Sequence, residues 1–356
     1  METVESLGWI RNNNLYDLAK GASLYLKNIF IPCLNVKDEK VLIIGDKGLK
    51  NRRVAPVLSA GYYLAAESLR LNTKVVLQNI KSRGQQADED VIWALENLEQ
   101  GSVVIINGSD KLGSLEDLGK SFRKLCIKKN FRFVSAMSLG CLPTKHVDSI
   151  ISAINVNYKP LQTQQEKIKE ILDQGEDIHI KTNAGTDLHC NVKGMKAVSA
   201  DGAYLSPGSG GNLPAGEVYI PINGKRVEGK VVIDGSSRTH KYTTLIKKPI
   251  TLKIEDGSIT EVEGSEEAKK LERTLNWAAS KSKHPNVVRR IGEFGVGVNP
   301  KARIIGSTGI DEKTLGTAHV GIGSNYWFGG SIYSIIHLDQ VFKDPVIKVD
   351  GKKLEI

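Results

Sequence analysis

The sequence predicts two domains. Residues 1–160 read as an α/β domain, a three-layer arrangement on a parallel sheet, and residues 161–356 as an α+β domain with a curved or barrel-like sheet. Three observations lead there. Short, wholly apolar runs alternate with amphipathic helical stretches in the first half, as they do where strands are covered by helices on both faces. From about residue 165 the pattern becomes strand-rich, with glycine and polar turns between strands. The chain has 356 residues, more than one hydrophobic core usually organises.

In order, "LYDLAKGASLYLKNIF" (15–30) has apolar residues at helical spacing, and "KVLIIGD" (40–46) is a buried strand ending in a glycine turn. "VAPVLSAGYYLAAESLRL" is helical, "TKVVLQNI" a strand, "DEDVIWALENL" a helix and "GSVVIING" a strand. "SLEDLGKSFRKLCIKK" (114–129) opens with a capping-box pattern, Ser114 then Asp117, and reads as one helix, and "FRFVSAMS" closes the series. The second half opens with the helix "TQQEKIKEILDQG", with Gly175 as its C-terminal stop. The strands "DIHIKTN", "DLHCNVK", "EVYIPIN" and "KVVIDGS" follow, then a hairpin turning at Asp256-Gly257 and a helix opened by Ser265. The junction falls between residues 155 and 166.

Composition excludes several classes. The net charge of +9 is scattered over tracts such as "NGKRVEGK", "LIKKPI" and "SKSKHPNVVRR", and aromatics are only 6%, which argues against nucleic acid as a partner. No run of about 18 apolar residues is present to span a membrane. "METVESLGWI" lacks the apolar core of a secretion signal. Cys33, Cys126, Cys141 and Cys190 form no C-x-x-C pair, and the expected setting is cytoplasmic, with reduced thiols. "IIGDKGLKNRR" has neither dinucleotide nor P-loop spacing. Ser206, Ser209 and Ser324 sit in glycine-rich turns without a G-x-S-x-G elbow.

Four tracts of the second half place ligand-type side chains beside glycines. They are "SPGSGGNLPAGEVYI" with Glu217, "RIGEFGVGVNP" with Glu293, "DEKTLGTAHVGIGSNY" with His319 and Tyr326, and "SIIHLDQV" with His337 and Asp339. Only seven histidines exist, and two of them stand here. A lone glutamate at a strand start is ordinarily surface, but Glu293 lies in a segment suited to burial, and a buried carboxylate requires a cation or several donors. In a strand, His337 and Asp339 point to one face, about 6.6 Å apart along it. The pair could equally be a histidine oriented by its carboxylate. Two histidines, three carboxylates and a phenol suit zinc, cobalt, manganese or iron(II), and three carboxylates would balance two dications. Glu312 and Lys313 are expected to position the loop or to pair with a carboxylate. Asp187 and His189 share a strand face, whereas His146, His179, His240 and His284 have no ligand-type neighbours in sequence.

These four tracts, in this order, resemble the aminopeptidase T family of metal-dependent leucyl aminopeptidases, the thermophilic metalloproteases. The resemblance covers the second half and, more loosely, the first. It implies metal ligands at Glu217, Glu293, His319, Tyr326, His337 and Asp339, with Glu217 and Tyr326 also taking part in the chemistry. It further implies two zinc, cobalt or manganese ions, a homodimer, and removal of N-terminal residues from short peptides. Gly216 departs from the family pattern, which has a second glutamate there, and so implies a lost general base. "DEKTLGT" also resembles the related 2,5-dihydroxypyridine 5,6-dioxygenases. That branch implies one iron(II), a small-molecule ring substrate, a facial triad of His319, His337 and Asp339, and Glu217 and Glu293 behind it. A metal-binding homologue without turnover is the third reading.

Overall fold

The structure, a computed structural model, describes residues 2–119, 121–223 and 226–356. Lys120, inside the expected helix 114–129, and Gly224 and Lys225, in the basic tract "NGKRVEGK", lie outside the described residues. The chain divides into two compact units: Met1–Lys159 with Gly202–Ala215, and Pro160–Asp201 with Gly216–Ile356. The boundary expected from sequence is continuous; in the structure, residues 202–215 belong to the first unit.

The first unit runs α1 (Glu2–Asn12), α2 (Tyr16–Leu26), β1 (Val41–Asp46), α3 (Val54–Ser68), β2 (Thr73–Gln78), α4 (Glu89–Glu96), β3 (Val103–Gly108), α5 (Phe122–Lys129), β4 (Arg132–Met137) and α6 (Val147–Ile154). The strands are parallel, and every residue of β1 and β3 is buried, as covering both faces demands. Side chains alternate across β1. Leu42 and Ile44 join Val91, Leu95, Leu125 and Phe131 in the core under α4 and α5. On the other face Gly45 admits α3 so closely that a Cβ there would meet Ser59 Oγ. Hence three layers. The expected helix 114–129 is split: Glu116–Leu118 forms one 3-10 turn, Gly119 takes φ +117°, and α5 starts only at Phe122. Ser114 bridges to Gln86 instead of capping a helix.

In chain order there follow α7 (Tyr158–Gln174), β5 (Asp177–Lys181), β6 (Asp187–Asn191), β7 (Val198–Ala200), β8 (Gly210–Asn212), β9 (Glu217–Pro221), β10 (Val227–Ile233), β11 (Ser236–Arg238), β12 (Thr243–Leu245), β13 (Ile250–Glu255), β14 (Ser258–Glu263), α8 (Glu266–Lys281), β15 (Ile291–Gly297), α9 (Thr308–Asp311), β16 (Thr317–Gly323), β17 (His337–Lys343), β18 (Val346–Val349) and β19 (Lys352–Lys353). β8 extends the parallel sheet of the first unit, whose order is β2-β1-β3-β4-β8. The second unit distributes its antiparallel strands over two sheets, β14-β13-β10-β6-β5-β18-β19 and β12-β11-β17-β16-β15-β9-β7. Asp256 and Gly257, both at positive φ, make the tight turn between β13 and β14. Gly175 N–H donates to Ile171 O at 3.0 Å and stops α7. No helix among the described residues is long and apolar enough to cross a membrane.

Candidate metal centre

The candidate ligands sit on one face of four adjacent strands, and the register shows why. Glu217 pairs with Gly297 across β9 and β15, Glu293 and Asp339 both pair with Gly321, His319 pairs with Gly295, and His337 pairs with Gly323. Because successive side chains alternate, residues 217, 293, 319, 337 and 339 all project to the same side. Each is opposed by a glycine, which leaves the space that the ligand side chains fill. A Cβ on Gly295 would lie 2.3 Å from His319 Nε2, and one on Gly321 would lie 2.8 Å from Glu293 Cβ and 3.0 Å from His337 Cε1. The other face carries Val218, Phe294, Val296, Val320, Ile322 and Phe342, all buried. That apolar face holds the sheet in place while the glycine-lined face is shaped for ligands. Gly295→Ala should therefore displace the His319 ring, at about 1–3 kcal/mol of overpacking. Thermal unfolding and metal affinity of the variant check this, and an unchanged affinity would count against it.

Glu293, His337 and Asp339 converge: one ligand atom from each lies within 4.8 Å of the others. His337 Nε2 is 3.0 Å from Asp339 Oδ1 and 3.3 Å from Glu293 Oε2. Its Nδ1–H donates to the Ser324 carbonyl at 2.8 Å, a bond that fixes the ring and turns Nε2 toward the two carboxylates. His319 stands behind, its Nε2 3.2 Å from Glu293 Oε1. Two of these buried atoms, His319 Nδ1 and Asp339 Oδ1, have no hydrogen-bond partner among the described residues. Asp339 Oδ1 is close to His337 Nε2 without hydrogen-bond alignment. Orphaned buried donors and acceptors are costly, so atoms left in this state fit a ligand set for a cation.

Glu217 is engaged differently. Lys313, only 2% exposed, places Nζ 3.0 Å from Glu217 Oε2 and also bonds Glu312. Burial, and then the Glu217 charge, push the Glu312 carboxyl well above its usual range. The pair that sequence placed only loosely is thus a central part of the cluster. Asp311 of the same tract anchors the loop before it, accepting from the Ile305 and Gly306 N–H groups at 2.7 and 3.1 Å. Tyr326 is 64% exposed and packs edge-on against Tyr333, so the structure does not bring it among the other five expected ligands. Its neighbours Trp327 and Phe328 lie against the His337 ring, at 4.8 and 6.1 Å between centroids. Buried Asn325 pins this loop, donating to Ile222 O and Gly292 O and accepting from Ile332 N–H. Sequence reading missed Asn325, Trp327 and the site-facing Tyr219. The alternating glycines in "GEFGVG" and "HVGIG" were the available signal, since they mark the face on which bulky ligands are opposed.

Gly216 has φ +125°, and a Cβ there would lie 2.5 Å from Asn299 Cβ. Restoring a glutamate at this position would strain the backbone and collide with Asn299. The missing second glutamate is therefore built into the local fold, and its replacement is no test of a lost base.

The charges couple strongly. Burial alone would depress both imidazoles. Bonding and charge from Glu293 lift His319 to about 9, and Asp339 lifts His337 to about 10. Burial would raise Asp339, but the His337 charge outweighs it and holds the carboxyl at about 2. Both histidines bind their protons more tightly folded than unfolded. Their contribution to stability is fully present below about pH 6.5 and is lost as pH rises through 9 to 10. The Asp339 contribution has the opposite sense, present above about pH 4 and lost as pH falls through 2. Chelator-treated protein is expected to lose unfolding temperature steadily between pH 7 and 10, and bound divalent metal should make that slope shallower by removing the His337 share, because a ligating imidazole is already neutral. A flat profile in metal-free protein would show that the histidines are not held protonated.

Comparison with known proteins points the same way on the site's class. A family model described as 2,5-dihydroxypyridine 5,6-dioxygenase matches residues 154–355. A 2,5-dihydroxypyridine 5,6-dioxygenase of Pseudomonas putida is 26% identical over 192 residues, which is 51% of this chain and 53% of the relative. The chain thus spans about half the length of the curated relative it matches. Among solved structures, the 2,5-dihydroxypyridine dioxygenase from Pseudomonas putida KT2440 superposes with a TM-score of 0.65 at 20% identity, covering 95% of both chains. Wild-type AmpT from Thermus thermophilus superposes at 0.60 and 15% identity, covering 97% of both. At such identities these two likenesses concern the fold alone. The matches at the level of sequence favour the ring-cleaving branch over the peptidase reading.

Proposed function

Because the chain belongs to the 2,5-dihydroxypyridine 5,6-dioxygenase family, we propose that it is a mononuclear iron(II) enzyme that opens a dihydroxylated nitrogen-containing aromatic ring with dioxygen. The carrying observation is the position of Lys313. Its ammonium lies beside Glu217 and Glu312, where a second metal ion would otherwise be needed to offset their charge. With Glu217 matched by Lys313 and Glu312 pushed toward its neutral form, the carboxylates left over are Glu293 and Asp339. With His319 neutral once the metal takes over the Glu293 charge, one dication balances these two; a pair of dications would leave an excess of buried positive charge.

In this reading His337, Asp339 and Glu293 hold the ion, and His319 orients Glu293 through the Nε2 contact. This differs from the triad of His319, His337 and Asp339 that the resemblance implies: the convergent trio has Glu293 in the place of His319. Histidine and carboxylate ligands with open positions suit iron(II), which when bound would supply the electron-transfer chemistry that dioxygen requires. The remaining contributions come from the chain. Trp327 and Phe328, edge-on to His337, offer an apolar wall to a planar ring beside the ligands. Tyr219, half-buried and raised by burial and by the Glu217 and Glu293 charges, keeps its proton and can donate it in a hydrogen bond to a ring oxygen.

The test is anaerobic reconstitution with iron(II), followed by oxygen uptake on 2,5-dihydroxypyridine. About one iron per chain and stoichiometric oxygen uptake are expected. Two zinc or cobalt ions at the buried centre, with release of an N-terminal leucine from a dipeptide and no oxygen uptake, would overturn the reading.

A further inference from the structure

The β5–β6 hairpin carries a second group of ligand-type side chains, on the other sheet of the same unit from the candidate metal centre. Sequence alone associated Asp187 with His189 and left His179 without ligand-type neighbours. The antiparallel register corrects this: His179 lies directly opposite His189, and Asp187 lies opposite Lys181. Directly opposed residues have Cβ atoms about 4.5–5.5 Å apart, and residues 179, 181, 187 and 189 share one face. The two imidazoles stack with centroids 3.8 Å apart and planes 18° from parallel. His179 Nε2 is 2.7 Å from Asp187 Oδ1, and His189 Nε2 is 3.9 Å from the same oxygen. One ligand atom from each of the three falls within 4.8 Å of the others.

We propose that His179, Asp187 and His189 form a surface site for a divalent transition metal of the zinc, nickel or copper type. Ligand atoms around a tetrahedral ion with bonds of about 2.1 Å sit about 3.4 Å apart, so the observed separations need adjustments of about an ångström. The side chains can make them, since those of His189 and Asp187 are 63% and 46% exposed. Exposure also lets water complete the coordination and keeps the desolvation cost small. Two imidazoles and one carboxylate select such ions over magnesium or calcium, which prefer all-oxygen sets. The two imidazoles line an open groove of about 770 Å³ whose charged lining is mixed, with Glu176, Asp177, Glu228 and Asp256 beside Lys193, Arg226 and Lys348, so selection of a cation rests on the three ligand atoms themselves. Lys181 is the competitor, with Nζ 3.2 Å from Asp187 Oδ2, but it occupies the other carboxylate oxygen and leaves Oδ1 turned to the imidazoles.

The probe is zinc alone, titrated into chelator-treated full-length protein against a chromophoric chelator. Wild type should bind one more zinc per chain than His189→Asn, and Lys181→Gln should tighten that extra class by several-fold. His337→Ala should lose the buried class and keep this one, so failure at one site is distinguishable from failure at the other. Because the His189 side chain is 63% exposed, unfolding temperatures of metal-free His189→Asn and wild type should match. Equal zinc stoichiometry in wild type and His189→Asn, or weaker binding in Lys181→Gln, would overturn the proposal and leave the three residues as an ordinary hydrogen-bonded cluster. As a separate readout, substoichiometric nickel should broaden the ring proton resonances of His179 and His189 before those of His240 or His284; broadening of all four together would count against the site.

Discussion

His337→Ala is expected to lower iron affinity on the order of a hundredfold or more and to bring ring cleavage below detection. Positioning partners of metal ligands already cost roughly 10–100-fold when removed. His337 is more central than such a partner: its Nε2 lies 3.0 Å from Asp339 and 3.3 Å from Glu293, and nothing else among the described residues joins those two carboxylates with a nitrogen. Without it, two largely buried carboxylates face each other with no cation between them. The measurement is iron binding by chelator competition, with oxygen uptake alongside. An affinity within a few-fold of wild type would remove His337 from the ligand set and with it the proposed centre.

Lys313→Met is expected to produce the largest change in stability. The ammonium is 2% exposed and bonds Glu217 and Glu312, so its loss strands buried carboxylate charge, a change typically worth about 3–5 kcal/mol. Methionine keeps much of the side-chain length, which separates the charge effect from a cavity. The same argument gives a second outcome. With the ammonium gone, added zinc should bind as a second ion beside Glu217 and recover part of the lost unfolding temperature. Denaturant unfolding and zinc stoichiometry of the variant check both. Wild-type stability, with no second ion gained at the buried centre, would show that Lys313 does not stand in for a metal.

Much of the architecture was legible in local patterns. The apolar runs of β1 and β3, the Asp256-Gly257 turn and the helix after Ser265 all fall where periodicity and turn chemistry put them. The alternation in "HLD" placed His337 and Asp339 on one face without reference to anything distant. Where local signals misled, a single residue usually explains it. Gly119 at φ +117° interrupts the helix expected over 114–129, and a capping pattern cannot outweigh a backbone that has left the helical region.

What the sequence by itself determined is the inventory and its local geometry: which segments are strands, which side chains share a face, and which tracts pair ligands with glycines. Only the tertiary structure decided which faces meet. Register across β9, β15, β16 and β17 set Glu293, His337 and Asp339 together, and Tyr326 stands in solvent although the resemblance implied it among the ligands. Lys313 follows Glu312 in the chain, yet its role depends on Glu217, nearly a hundred residues earlier. Local propensity extends over a few residues, whereas burial, charge and cross-strand pairing depend on neighbours supplied by distant chain. Local pattern could therefore single out candidate ligand side chains, but the proposal of a single cation rests on the lysine's position, which only the tertiary structure supplies.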